Sequence, residues 1–223
     1  MFRSILHKAV FVFVLLSLVS LKAICHQERL VNTVRRTVSA SSKFKQDFTR
    51  YMAGYVKQNR EVLQNIKRNK AASFKVIDAT FKKYNLPSDL KYLAVVESEL
   101  KASAVSKVGA VGFWQLMPET AQLLGLKVSA KYDERKHLSK STQAAAIYLR
   151  DLHREFGDWL LVLAAYNSGP GPVYKAIRKS GSRDFWKLQA YLPAETRAHV
   201  KRIIATRYYF EGQADDANFM LTM

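Results

Sequence analysis

This sequence gives little support to disulfide bonds, β-strands or repeats. It contains a single cysteine, Cys25, which excludes a disulfide framework within one chain. Alternation of apolar and polar residues is scarce, and no internal repeat or low-complexity segment occurs. The five prolines all fall where helical patterns begin or end. They are Pro87, Pro118, Pro170, Pro172 and Pro193. These features predict an all-α protein.

Acidic residues are also few. The chain has 18 aspartates and glutamates against 36 lysines and arginines, a formal net charge of +18. Such a basic surface favours polyanionic partners, namely nucleic acid, anionic membranes or cell-wall polymers, and charge alone does not choose among them. With 223 residues, 48% of them hydrophobic, the chain is long enough for one well-packed domain plus an extension.

The N-terminal segment narrows the choice of partner. A basic start (MFRSILHK) precedes an apolar run (AVFVFVLLSLVSL) that is shorter than the about 20 residues of a membrane-spanning helix. We expect residues 1–25 to be a signal peptide with cleavage after Cys25; lipidation at Cys25 and retention as a membrane anchor remain open. All three place the rest of the chain in the cell envelope or periplasm, which disfavours nucleic acid.

Apolar residues recur at helical spacing along most of the remaining chain. The spacing predicts one long helix from Phe48 to Ile66 and a second from Phe74 to Tyr84. Further helices are predicted from Pro87, from Pro118 to Gly125, from Ala144 to Gly157, from Trp159 to Asn167 and up to Gly212.

Two glutamates stand near the end of the apolar run LAVVESEL, residues 93–100. At about 100° per residue, Glu97 falls in the middle of the apolar helix face, whereas Glu99 falls about 200° away from it. A carboxylate on a core-facing stripe is costly unless it is paired, protonated or open to a cleft. Glu97 is therefore the predicted functional carboxylate, and Glu99 is expected to point outward.

Three other segments contain candidate site residues: KVGAVGFWQLMPETA (107–121), AAYNSGPGP (164–172) and LPAETRAHVKRI (192–203). Each has an ordinary structural explanation: a glycine turn feeding a helix, an asparagine at a helix C-terminus and an acidic residue at a helix N-terminus. Their coincidence with a glutamate on a core face favours a functional site.

The motifs ES, GA-x-G-x-x-Q-x-MP-x-TA, AYN-x-G and LP-x-ETR occur in the order seen in lytic transglycosylase domains of the soluble lytic transglycosylase (SLT) type. The segments YVKQNREVL and FKKYNLPSDLKYLA resemble the membrane-bound lytic murein transglycosylase D group, and the resemblance spans residues 48–212. It implies a lysozyme-like α-helical fold, related to goose-type lysozyme, that cleaves peptidoglycan glycan strands. The implied organisation is a signal peptide or anchor (1–25), a helical extension (26–73), an SLT catalytic domain (74–212) and a short tail (213–223).

The resemblance also implies roles for individual residues. Glu97 matches the single catalytic glutamate of the family. The implied substrate-binding residues are Ser98, Ser106, Gly112, Phe113, Trp114, Gln115, Tyr166, Asn167 and His199. One position departs from the family pattern, because His199 stands where the family usually has a tyrosine after the ETR motif. The imidazole either lies near Glu97 or is remote from the cleft.

Apolar surroundings favour a protonated carboxyl, which suits Glu97 to general-acid catalysis. The resemblance implies that Glu97 protonates the oxygen between N-acetylmuramic acid and N-acetylglucosamine and then accepts the C6 hydroxyl proton as a 1,6-anhydro ring closes. No second carboxylate matches in the motifs, and the five histidines show no metal-ligand spacing. We expect a monomer with no cofactor, peptidoglycan as partner and possible membrane association. The alternatives are a hydrolytic lysozyme- or chitinase-like glycosidase and a non-catalytic peptidoglycan-binding envelope protein.

Overall fold

A computed structural model describes residues 46–212. The signal peptide expected over 1–25, the first part of the extension up to residue 45 and the tail over 213–223 lie outside the described residues. The chain divides into two compact units between Tyr51 and Met52. The structure describes residues 46–51 of the first unit, and they are helical. The core and the candidate site lie in the second unit.

The described part is helical, as the sequence predicted. The helices are α1 (46–58), α2 (Arg60–Asn69), α3 (Ala71–Lys83), α4 (Lys91–Ser98), α5 (Pro118–Leu123), α6 (Leu138–Phe156), α7 (Trp159–Ser168), α8 (Pro170–Ser180), α9 (Phe185–Leu188) and α10 (Ala194–Glu211). Short 3₁₀ turns occupy Ser88–Leu90, Glu134–Lys136 and Gln189–Tyr191. Over residues 46–212 β-structure occurs only as isolated antiparallel bridges, so the all-α prediction is confirmed.

The long helix predicted from Phe48 to Ile66 is interrupted at Asn59. The backbone there leaves the helical region, with φ −106° and ψ 15°. The Asn59 side chain Nδ2 donates to the Tyr55 carbonyl over 2.8 Å, so a local side-chain bond competes with regular helix geometry. The prediction of one continuous helix is therefore wrong, because this interruption divides it into α1 and α2.

Helix α8 was not predicted. Its sequence begins with PGP, which the apolar pattern indicated only as the end of the preceding helix. Pro170 occupies the first helical position, where its missing N–H costs no hydrogen bond, and Gly169 takes φ 77° to separate α7 from α8. Two helices therefore follow each other with one residue between them.

Helix α7 is central to the core of the second unit. Its residues from Leu160 to Ala165 are all buried, and the helix packs against α6, α8 and α10. A helix that is apolar on every side is expected at such a position. Helix α4 packs against α10, which brings the segment of Glu97 close to the segment of His199.

The boundary expected at residue 74 falls inside the second unit. Helix α2 packs against α3 and α10 and buries Leu63 and Ile66. Part of the expected extension therefore shares the core with the expected catalytic domain. Within residues 46–212, none of the helices combines the length and the apolar content needed to cross a membrane.

Candidate active site

Glu97 lies in the last turn of α4, beyond a run of buried residues from Tyr92 to Val95. Its side chain is 16% exposed, and its Oε1 is 2.9 Å from Nε2 of His199 on α10. The carboxylate on the core-facing stripe is thus paired and partly open, two of the conditions under which such a group is tolerated. The alternative in which His199 lies away from Glu97 is wrong.

His199 is 3% exposed, so the partners of its two ring nitrogens indicate which of them donates a hydrogen bond. Nδ1 is buried, and no residue among 46–212 offers it a hydrogen bond. A proton on Nδ1 would be a buried donor without an acceptor, which is costly. We therefore assign the donor role to Nε2–H, which donates to Glu97 Oε1. Within the described part of the chain, Glu97 Oε2 has no hydrogen-bond partner, and it remains available for chemistry.

A cavity of about 300 Å³ opens beside this pair. It is lined by residues of α1, α2, α4, α7 and α10 and of the segments that flank them. Of the site residues predicted from the sequence, three line it: Glu97, Asn167 and His199. The cavity, hereafter the catalytic cavity, thus joins one residue from each of three separate motifs.

Asn167 is held in a defined orientation at the cavity. Its Oδ1 accepts a hydrogen bond of 2.9 Å from the hydroxyl of Thr196, which is 1% exposed at the start of α10. This bond fixes which end of the amide faces Thr196. The NH₂ group of Asn167 has no hydrogen-bond partner among residues 46–212, so it can donate to a ligand.

The prediction that Glu99 points away from Glu97 is wrong in its geometry. Helix α4 ends at Ser98, and Glu99 adopts a left-handed conformation with φ 55° and ψ 29°. The rotation of about 100° per residue therefore does not extend to it. Glu99 lines the same cavity as Glu97, and so does Glu195. Both are ion-paired, Glu99 with Lys101 and Glu195 with Arg202.

The glycine-glutamine motif forms a loop over residues 104–117, hereafter the motif loop. Gly112 has φ 82°, and a Cβ there would lie 2.1 Å from the Arg135 carbonyl oxygen, so no side chain fits. The Arg135 guanidinium is buried, and its Nη1 donates to the carbonyls of Gly109 (3.1 Å) and Leu116 (3.0 Å). The guanidinium also pairs with Asp133 at 2.8 Å. The hydrogen bonds that Arg135 donates to the Asp133 carboxyl hold the pKa of that carboxyl below its usual range.

In the motif loop, the side chains of Trp114 and Gln115 are engaged with protein and do not line the cavity. Trp114 is fully buried, and its Nε1 donates to Thr142 over 3.0 Å. Gln115 Nε2 donates to the carbonyls of Ala104 (3.1 Å) and Gly112 (2.9 Å). The expectation that Trp114 binds substrate is wrong, because no face of its ring reaches the surface.

The remaining predicted site residues also support the loop. The Ser98 hydroxyl donates to the Phe113 carbonyl (2.8 Å), and Ser106 Oγ accepts from the Ala110 amide (2.9 Å). Ser98 and Phe113 are buried. The Tyr166 hydroxyl donates to the Trp114 carbonyl (2.7 Å). Burial and the nearby charge of Glu97 raise the pKa of Tyr166 well above its usual range, so it stays a neutral donor. None of these four residues lines the catalytic cavity.

A sequence model of the transglycosylase SLT domain family matches residues 74–189. The chain belongs to this family. Over 129 residues it is 43% identical to membrane-bound lytic murein transglycosylase D of Escherichia coli, covering 56% of this chain and 28% of that relative. The chain therefore spans less than a third of the length of this curated relative.

Two solved lytic transglycosylases share the fold. One is an inactive glutamate-to-glutamine variant of Slt from Pseudomonas aeruginosa, with a TM-score of 0.53 at 26% identity over 60% of this chain and 23% of that chain. The other is the 70 kDa soluble lytic transglycosylase of Escherichia coli, with a TM-score of 0.54 at 25% identity over 73% of this chain and 30% of that chain. The lysozyme-like all-α fold expected from the motifs is confirmed.

The sequence patterns did not indicate that α1 and α2 contribute to the catalytic cavity. Tyr55, Asn59, Val62 and Leu63 line it, although the segment was expected to be a separate extension. A signal was present, because spacings of four and three residues place Tyr55, Asn59 and Val62 on one helix face. A polar Asn59 on that apolar face is the same kind of anomaly as Glu97. Arg202, one turn after His199, was missed as well.

Proposed function

We propose that this protein is a peptidoglycan lytic transglycosylase. It cleaves the β-1,4 bond between N-acetylmuramic acid and N-acetylglucosamine and leaves 1,6-anhydromuramyl ends, for turnover or remodelling of the cell wall. The observation that carries the proposal is the hydrogen bond between Glu97 and the buried His199 on the wall of the catalytic cavity. Membership of the SLT family and the likeness to a lytic murein transglycosylase support it.

In the first step Glu97 is the general acid. The proton on Oε2 passes to the glycosidic oxygen, the bond from that oxygen to C1 of the muramic acid breaks, and N-acetylglucosamine leaves with a free hydroxyl. The N-acetyl group of the substrate stabilises the positive charge at C1. Glu97 is then a carboxylate whose Oε1 still accepts the hydrogen bond from His199.

In the second step the same residue is the general base. The Glu97 carboxylate removes the proton of the C6 hydroxyl, and O6 attacks C1 to close the anhydro ring. The proton count returns to its starting value, and no water is consumed. Because Nε2–H donates to the carboxylate in this interval, His199 stabilises the charged form of Glu97 when the sugar is positively charged.

The amide groups at the cavity hold the sugar. Asn167 presents its NH₂ group, fixed by Thr196, and Asn59 also lines the cavity. Pyranose hydroxyl and acetamido groups are suitable partners for such amides. The protein acts in the cell envelope after export directed by residues 1–25, which agrees with the membrane-bound location in the name of the Escherichia coli relative.

A second candidate function is hydrolysis of the same glycosidic bond, as in a lysozyme. The observation that favours it is the presence of two further carboxylates, Glu99 and Glu195, at the cavity of Glu97. A second carboxylate can activate water or act as a nucleophile in a glycoside hydrolase. Against this role, each is engaged in an ion pair with a neighbouring cation.

Mass analysis of murein digested by the full chain tests these functions. Lytic transglycosylation gives muropeptides with anhydro ends, which are lighter by one water than the products of hydrolysis. Products with reducing muramic acid ends would instead support the hydrolase. Undigested murein that retains bound protein would support a non-catalytic envelope protein.

A further inference from the structure

A second cavity, of about 290 Å³, lies along the same two helices as part of the catalytic cavity. It is lined by Gln64, Lys67 and Arg68 of α2 and by Tyr209 of α10. The side chains of Lys67 and Arg68 are exposed, and Tyr209 is half-buried. We call this the cationic pocket.

The charge of the pocket is of one sign. Its lining contains an ammonium and a guanidinium group but no carboxylate. In the part of the chain that the structure describes, neither Lys67 nor Arg68 forms an ion pair, and Lys67 Nζ lies 5.7 Å from the centre of the Tyr209 ring. An arginine fork, an ammonium group and the Gln64 amide together suit a carboxylate ligand. The Tyr209 ring adds an apolar face that can contact the carbon atoms next to the carboxylate of the ligand.

The cationic pocket lies next to the catalytic cavity along both α2 and α10. Along α2 the catalytic cavity is lined by Val62 and Leu63, and the cationic pocket begins one residue later. Along α10 the order is the same, from His199 and Arg202 to Tyr209. At a rise of about 1.5 Å per residue, Arg202 and Tyr209 are separated by about 10 Å along the helix. This separation is short enough to be spanned by one extended ligand.

We propose that the cationic pocket binds a free carboxylate of the peptide that peptidoglycan carries on its muramic acid residues, while the glycan strand lies at Glu97. The inference rests on the proposed function and adds a preference for peptide-bearing strands. It also gives part of the basic surface a defined task, because a charge next to the cleft can orient one substrate rather than attract every polyanion.

The test compares two substrates and two double variants. The substrates are soluble murein strands that bear peptides and the same strands after an amidase has removed the peptides. The variant Lys67→Ala/Arg68→Ala removes two charges from the pocket, and Lys82→Ala/Lys83→Ala removes two exposed charges from the end of α3 as a matched control. Exposed ion pairs are weak, and the loss of two of them corresponds to a decrease of about five-fold in affinity for the ligand.

We expect the pocket variant to lose about five-fold in kcat/KM on peptide-bearing strands and nothing on peptide-free strands. The control variant should match the wild type on both. Equal losses on the two substrates, or no loss on either, would overturn the inference. A wild-type protein that cleaves neither substrate would contradict the proposed function instead, so the two failures are distinguishable.

A binding measurement keeps the test independent of the chemistry. Calorimetry with the Glu97→Gln chain should give tighter binding of peptide-bearing than of peptide-free strands. Adding Lys67→Ala/Arg68→Ala should abolish that difference. If the difference persists, the peptide carboxylate binds elsewhere and the inference is wrong.

Discussion

The wall of the catalytic cavity and the motif loop both carry motifs of the SLT family, but their polar atoms are used in different ways. On the wall, Glu97 Oε2 and the NH₂ group of Asn167 have no partner among residues 46–212. In the loop, the donors of Trp114 and Gln115 are bonded to protein oxygens, and Arg135 from outside the loop donates to two loop carbonyls. Some motif residues can thus contact a ligand directly, whereas others stabilise the loop structure next to the site.

This difference has a measurable consequence. Changes on the wall should alter the reaction rate and leave the free energy of unfolding nearly constant. Changes in the loop should lower the free energy of unfolding and have less direct effect on the reaction rate. A wall substitution that unfolds the protein, or a loop substitution that only slows the reaction, would contradict the division.

The largest expected effect is that of Glu97→Gln on the wall. The amide keeps the shape of the side chain but cannot transfer the proton, so we expect kcat to fall by about 10²- to 10⁴-fold. The thermal midpoint should change little because the residue is partly exposed. Anhydro-muropeptide release and thermal denaturation, measured on the same preparation, check both halves.

Glu99→Gln is the control for this substitution. Glu99 lines the same cavity but is paired with Lys101, so we expect its activity to stay within a few-fold of the wild type. A loss comparable to that of Glu97→Gln would favour the hydrolase with two carboxylates.

Gly112→Ala should have the largest effect in the motif loop. The new Cβ would lie 2.1 Å from a backbone oxygen at a φ of 82°, and we expect the free energy of unfolding to fall by about 3 kcal/mol or more. Urea denaturation measures this change directly.

Gly109→Ala is the matched control in the same loop. Gly109 has a similar φ of 88°, but a Cβ there meets nothing within 4 Å. Only the backbone cost of about 1 to 2 kcal/mol should remain. Equal losses for the two alanines would mean that the contact with Arg135 does not decide the fit.

Local sequence patterns predicted much of the fold and only part of the site. The helix that ends at Gly157 and the helix that begins at Pro118 follow from periodicity and capping, which depend on neighbouring residues. Glu97 was predictable because a charge on an apolar face is anomalous whatever the tertiary structure. That His199 lies beside it depends on the packing of α4 on α10, which the family resemblance suggested and periodicity could not.

The errors have equally physical causes. Glu99 was misplaced because one left-handed residue after a helix ends its periodicity. Trp114 was expected at the sugar because an aromatic residue beside a glycine turn can face either the core or the surface. Asn59 was not assigned to the site because its position depends on how α2 packs on α10.

A smaller effect is expected from the ion pair that supports the loop. Hydrogen bonds from Arg135 lower the pKa of Asp133, so its carboxylate stabilises the fold above the unfolded value, about 3.9, and this contribution is lost as pH falls through the lowered folded value. Asp133→Asn should cost about 1 to 3 kcal/mol at pH 7 and weaken the loss of stability below about pH 4. Urea denaturation across pH 3 to 7, a range set around that ordinary value, measures it.

Asp151→Asn supplies the exposed counterpart. Asp151 pairs with Arg150 and Arg154 on the surface of α6, and such pairs contribute about 0 to 1 kcal/mol. If both asparagine variants gave the same small change in the free energy of unfolding, the burial of the Asp133–Arg135 pair would not add to the stability of the loop.

The smallest expected effect is on the wall, at His199. His199→Tyr introduces the residue that the motif resemblance led us to expect and replaces the Nε2–H donor with a hydroxyl. The Nε2–H lies 2.9 Å from Glu97 Oε1, and a phenol hydroxyl is also a suitable donor to a carboxylate. We therefore expect kcat of the tyrosine variant to stay within a few-fold of the wild type.

The burial of His199 constrains this substitution. The ring is 3% exposed, so a tyrosine must fit the same buried space and direct its hydroxyl at Glu97. Anhydro-muropeptide release by the two enzymes, measured under the same conditions, gives the ratio of their rates. A loss as large as that of Glu97→Gln would mean that a phenol hydroxyl does not replace the Nε2–H donor.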